Sequence, residues 1–167
     1  GCTVSFGGSM TLEDTGMLTA LRHDPGITLL DRAQAKTPEE TKKIYHDALS
    51  SDFYFMSTNA ITKDGELVNI DGTGNRVAAL IYGPEHVIVM AGMNKVAANV
   101  DEALSRVHGT ATPMNCKRLG KNTPCSATGV CSDCLSPDCI CNQVVITRRS
   151  GIEGRIKVIL IGEELGY

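Results

Sequence analysis

From Thr3 to Val107, short β-prone runs alternate with segments whose apolar residues recur at helical spacing. That alternation leaves the chain few folds. A strand that returns to its sheet through a helix ends up parallel to the strand before it. The result is a mostly parallel sheet with helices on both faces, a three-layer α/β architecture.

The local signals are specific. Thr3–Phe6 predicts a strand that turns at Gly7-Gly8-Ser9. Thr11-Leu12-Glu13-Asp14 reads as a capping box with Thr11 as N-cap, opening a helix to about Arg22 with Leu12, Leu18 and Leu21 inward. Ile27–Leu30 predicts a second strand. Thr37-Pro38-Glu39-Glu40 starts a helix whose inner stripe is Ile44, Tyr45, Ala48 and Leu49. Asp52–Ser57 predicts a third strand. Lys63-Asp64-Gly65-Glu66 predicts a hairpin turn between Ala60–Thr62 and Leu67–Ile70. A helix leaves the loop Asp71–Asn75 at about Arg76. Val87–Ala91 is the unbroken apolar run of a strand covered on both faces. Val96, Val100, Ala103, Leu104 and Val107 fall at helical spacing. Pro113–Asn142 reads as one long loop, and Val144–Thr147 and Arg155–Ile161 as two closing strands around Ser150-Gly151. The chain length fits a single domain over residues 1–167. It starts almost on a core strand, so a preceding N-terminal segment is expected.

Several function classes are disfavoured. Aromatic residues make up 4% of the chain and Trp is absent, which leaves no stacking platform for single-stranded nucleic acid. Net charge is −3 with no basic tract, so a nucleic-acid partner is not expected. The apolar runs are too short for a membrane span, and GCTVSFGGSM lacks the regions of a signal peptide. Together with seven cysteines, an odd number, this points to a reducing cytoplasm.

Four of those cysteines, Cys125, Cys131, Cys134 and Cys141, stand in a C-x5-C-x2-C-x6-C spacing. The central C-x2-C brings two thiolates to a metal from one turn, and the outer two arrive from the arms. Zinc or a four-iron, four-sulfide (4Fe–4S) iron–sulfur cluster accepts such a set, and the spacing does not separate them. The alternative is an exposed loop of free or partly oxidised thiols. Cys2 reads as a bystander.

Two glycine loops, Gly7-Gly8-Ser9 and Asp71-Gly72-Thr73-Gly74-Asn75-Arg76, lead into helices and suit a small anion. Arg76 is the candidate for a bidentate contact to carboxylate or phosphate. Neither loop is a dinucleotide or Walker A motif. Asn59, Asn69, Asp71, Asn75 and Lys95 are candidates for the same crevice, Glu13 for a general base and Lys95 for a carboxylate clamp. For each, the alternative is a turn cap or a solvated surface charge. Ser9 has no evident His partner. His23, His46, His86 and His108 are scattered and expected at the surface.

The segments GGSMTLE (Gly7–Glu13), TNAITKDGELVNIDGTGNRVAALIYGP (Thr58–Pro84), NKV (Asn94–Val96), PMNCKRLG (Pro113–Gly120), TPCSATGVCSDCLSPDCICN (Thr123–Asn142) and the terminal GEELGY together resemble the lactate-utilisation (LUD) domain family, the group similar to lactate utilisation protein C. The resemblance covers nearly the whole chain. It implies an α/β fold of the kind shared by ribose-phosphate isomerases, glucosamine-phosphate deaminases and CoA transferases. It also implies an accessory role beside iron–sulfur partner proteins that oxidise L-lactate to pyruvate, with a small carboxylate or phosphorylated ligand; a homodimer is compatible with it. Two other readings stand beside it: an isomerase or acyl transferase acting on a sugar phosphate or CoA ester, and a non-catalytic binding module with structural zinc. The chain departs from the family pattern in lacking a further N-terminal region. It also carries Cys139 where a basic residue is expected and Cys116 where a small apolar one is usual. Either extra thiol is a candidate substitute ligand or redox partner.

Overall fold

A computed structural model describes residues 1–167. In chain order the strands are β1 (Cys2–Phe6), β2 (Ile27–Leu30), β3 (Phe53–Met56), β4 (Ala60–Thr62), β5 (Leu67–Asp71), β6 (His86–Gly92), β7 (Val96–Ala97), β8 (Gln143–Thr147) and β9 (Ile156–Ile161). The helices are α1 (Met10–Asp14), α2 (Met17–His23), α3 (Pro38–Ala48), α4 (Asn75–Ile81), α5 (Val100–Arg106), α6 (Thr112–Arg118) and α7 (Pro124–Thr128). None is long and apolar enough to cross a membrane. The chain forms two compact units. The first comprises Gly1–Ser57, Asn75–Gly92 and Ser150–Gly166; the second comprises Thr58–Gly74, Met93–Arg149 and Tyr167.

The first unit holds a five-stranded sheet of order β2-β1-β3-β6-β9 in which every neighbouring pair is parallel. Val4 stands opposite Leu29 and Phe53, and Val87 opposite Tyr54 and Ile156. The chain goes from β1 to β2 on one side and returns to β3 on the other. Right-handed crossovers therefore put α1 and α2 on one face and α3 on the opposite one. Packing agrees. Leu12, Leu18 and Leu21 bury against Val4 and Phe6, whereas α3 packs on β1, with Ile44 and Ala48 lining the same cleft as Ser5 and Tyr54. Val87, Val89 and Ala91 of β6 are fully buried, as the unbroken apolar run requires.

Helix boundaries differ from expectation near the start. The N-cap is Ser9, not Thr11: its side chain accepts the Leu12 N–H at 3.3 Å. Thr11 is fully buried instead, and its hydroxyl donates to Leu165 O at 3.1 Å. The helix is also split, because Gly16 takes a left-handed φ of 71° between α1 and α2. Thr37 caps α3 as the sequence indicates, accepting the Glu40 N–H at 3.2 Å.

The second unit holds a four-stranded sheet of order β7-β4-β5-β8. β4 and β5 form the expected antiparallel hairpin, closed by Thr62 N–H to Glu66 O at 2.9 Å. The two closing strands are present and enter different sheets: β8 pairs with β5 and β9 with β6. Two expectations fail here. Val96 belongs to β7, parallel to β4, and not to a helix. The segment Pro113–Asn142 is not one loop, because α6 and α7 occupy its first half. Thr123 caps α7 through the Ser126 N–H, with Pro124 at the first position. Between α5 and α6 runs one π-helical turn, Val107–Ala111. A core of Ala60, Val68, Ile70, Ala97, Ala103 and Val107 lies under α5, with Cys141 packed on it.

Candidate functional site

In the first unit, strand order reverses between β1 and β3. Open α/β sheets bind ligands beside such a reversal, outside the strand carboxyl ends. The loop leaving β1 there is Gly7-Gly8-Ser9, and its three residues have different duties. The Gly7 N–H extends the sheet by donating to Phe55 O at 2.9 Å. A Cβ on Gly7 would stand 3.0 Å from Arg76 Cδ and 3.3 Å from the Tyr54 hydroxyl, so the loop packs directly on both. Ser9 caps α1. Gly8 is the residue that meets a charge: a Cβ there would collide with Nη2 of Arg32.

Arg32 follows β2, and no local motif marks it. Asp31 opens the turn that carries it by accepting the Ala33 N–H at 2.8 Å, and Asp31 itself is held by Arg22 Nε at 2.9 Å. The Arg32 Nη1 reaches the Tyr45 hydroxyl at 3.4 Å. Arg32, Tyr45 and Asn75 form the polar wall of a shallow open cleft of about 10 Å³, over a floor that includes Phe6, Leu30 and Ala48. Arg76 stands close by, and its Nη1 donates to Ser57 O at 3.1 Å. Glu13, the candidate base, is exposed on α1.

The other candidates lie in the second unit. The side-chain oxygen of Asn59 accepts the Ile70 N–H at 3.0 Å, tying β4 to β5. Asn69 is fully buried in β5. Lys95 is 4% exposed and so is no solvated surface charge. Asp71, Gly72 and Gly74 support the cysteine loop. A Cβ on Gly72 would stand 3.3 Å from Ile140 Cα, and Gly74 packs on the Gln143 side chain. Asn142 completes this seam: its N–H donates to Asp71 O at 3.1 Å and its Nδ2 to Gly72 O at 2.9 Å.

The seven cysteines are all unpaired by disulfides. Cys116 on α6 and Cys125 on α7 are 1% and 6% exposed. Cys125 Sγ is 3.3 Å from Thr123 Oγ1. Cys139 Sγ accepts the Cys141 backbone N–H at 3.4 Å. Burial is the main cause that pushes the Cys116 thiol up to about 11 and the Cys141 thiol up to about 12. Cys131 turns elsewhere: its Sγ is 3.5 Å from His108 Nδ1 and accepts the Asp133 N–H at 3.5 Å. Cys134 is half-buried. No three Cys, His, Asp or Glu side chains stand in coordination geometry. Two histidines also depart from the surface expectation. His108 is placed on Cys131 by the π-helical turn, and the His86 ring packs on Phe53 at 4.9 Å.

Comparison with known proteins gives a family match over most of the chain. The LUD domain model matches residues 1–161. Among solved structures, a DUF162 family protein from Deinococcus radiodurans is similar at 13% identity, covering 96% of this chain and 88% of that chain with a TM-score of 0.43. No curated protein matches the chain.

Proposed function

The chain belongs to the LUD domain family, and on that premise we propose that it serves lactate utilisation by holding a small carboxylate or phosphorylated ligand in the cleft beside Gly8, Arg32 and Asn75. It acts as an accessory subunit of an iron–sulfur-dependent system that oxidises L-lactate to pyruvate, with iron–sulfur proteins as its partners. The observation that carries this reading is the Arg32 guanidinium lying against Gly8 at the carboxyl end of β1. A guanidinium presents a planar fork of donors to a carboxylate or phosphate. Asn75 and the Tyr45 hydroxyl supply neutral donors on the same wall. The apolar floor accommodates the methyl group of a three-carbon acid. In the same reading the cysteine region holds zinc or a 4Fe–4S cluster; zinc staples the loop, and a cluster adds electron transfer. Soft thiols, two of them buried, support that reading.

Calorimetric titration with L-lactate and with inorganic phosphate tests the cleft. Arg32→Ala is expected to weaken whichever probe binds by about 10–100-fold, the value of one charge-assisted contact. Its unfolding midpoint should stay near that of the parent, because Arg32 is exposed. Gly8→Ala should act in the same direction by displacing the guanidinium. Undiminished binding in both variants would sink the assignment.

A further inference from the structure

Parallel sheets are ordinarily covered on both faces. In the first unit that rule breaks at one edge. β9 runs Ile156-Lys157-Val158-Ile159-Leu160-Ile161, and its four central residues are exposed. Successive side chains of a strand take opposite faces, so Val158 and Leu160 share one face and Ile159 lies on the other. All three are at least 40% exposed, and β9 is therefore bare on both sides. The opposite edge differs: Ile27, Leu29 and Leu30 of β2 are half-buried. The chain path explains the contrast. The connections leading to β2, β3 and β6 carry α1 and α2, α3, and α4. The connection from β6 to β9 has all its helices in the second unit, and no helix follows β9. The bare surface continues past the start of the strand. Arg155 donates to Ala79 O and Leu80 O, which holds the end of α4 beside β9. Ile81 and Tyr82 at that end are exposed, as is Ile152 in the turn before β9.

We propose that β9 is the surface through which a second copy of this chain pairs, antiparallel, about a two-fold axis. An edge strand offers a row of backbone N–H and C=O groups that another strand can extend. The charges select the occupant and its direction. Between Ile156 and Glu164 the only charged residues are Lys157, near the start, and Glu163 and Glu164, just past the end. Antiparallel pairing brings Lys157 of each copy toward the glutamates of the other, at both ends of the contact. Parallel pairing would set lysine against lysine and acid against acid. A patch complementary to itself in this way is what a two-fold dimer requires. The two five-stranded sheets join into one continuous sheet, and Val158, Ile159 and Leu160 are covered by their counterparts. β3 and β6 stand between β9 and β1, so the pairing is independent of the cleft at Gly8.

Sedimentation equilibrium tests this on the protein at micromolar concentration. The parent is expected at twice the mass of one chain. Lys157→Glu is expected to weaken the dimer by about 10-fold, because it juxtaposes like charges at two symmetric places. Adding Glu163→Lys to that variant is expected to restore pairing, which a general loss of stability would not do. Leu160→Lys is expected to give monomers that unfold at the parent's midpoint, since a lysine on an open edge blocks strand addition without touching the core. A monomeric parent overturns the proposal. A dimer left intact by both Lys157→Glu and Leu160→Lys places the contact elsewhere and overturns β9 as the interface. A parent that purifies with a different polypeptide, released by Leu160→Lys, overturns the choice of a second copy.

Discussion

Replacing Arg155 by methionine is expected to destabilise the fold by about 3–5 kcal/mol. Arg155 is 6% exposed, just ahead of β9. Its guanidinium donates to three carbonyls: Nε to Pro84 O at 3.0 Å, Nη1 to Leu80 O at 2.8 Å and Nη2 to Ala79 O at 2.8 Å. Ala79 and Leu80 lie in the last turn of α4, where carbonyls have no partner within the helix and negative partial charge gathers. One side chain thus caps a helix and ties it to the strand that forms an edge of the sheet. Burial lowers the guanidinium pKa, yet the group stays charged at neutral pH because its ordinary value is so high. Methionine keeps the stem and removes every donor, leaving three carbonyls to be satisfied. Lysine should restore only part of the loss, because one ammonium does not reproduce the planar fork. Chemical denaturation gives the comparison; a loss below about 1 kcal/mol would show that water or rearranged backbone replaces the guanidinium readily.

Arg106→Leu is expected to destabilise the second unit by about 2–4 kcal/mol. The side chain leaves the last turn of α5 and donates from Nε to Asn94 O at 2.9 Å and from Nη1 to Asn59 O at 2.7 Å. Asn59 precedes β4, and Asn94 lies in the turn before β7, so the guanidinium pins the entrances of two parallel strands. Burial again lowers its pKa without removing its charge. The loss is put below that for Arg155 because two carbonyls are orphaned and the residue is only half-buried. Hydrogen exchange is the sharper readout. Amides of β4 and β7 should lose protection first; uniform loss across the chain, or none, would remove the clamp from the account.

The alternation of strands and helices was legible because each parallel strand carries its own apolar run and each crossover its own cap. Thr37-Pro38 and Val87–Ala91 show this directly. The same Thr-Pro signal recurs at Thr123-Pro124, where the structure has a capped helix. There a composition rich in cysteine, proline and asparagine masks the helix. Strand pairing near the end was not legible, because β8 and β9 are adjacent in sequence but complete different sheets. At the candidate site, Gly7-Gly8-Ser9 was visible as a turn, but Arg32 was not. Nothing local marks Arg32; β2 pairing beside β1 brings it to Gly8. Cysteine spacing names no spatial partners. Cys116 lies outside the spaced motif and is buried, like Cys125, where α6 and α7 pack together.

The most direct measurement is a crystal structure of the protein with L-lactate at saturating concentration. The account predicts the carboxylate beside Gly8, within hydrogen-bond reach of the Arg32 guanidinium, with the methyl group toward Phe6 and Leu30. Lactate ordered elsewhere on the chain, with the Arg32 cleft filled only by solvent, would contradict it.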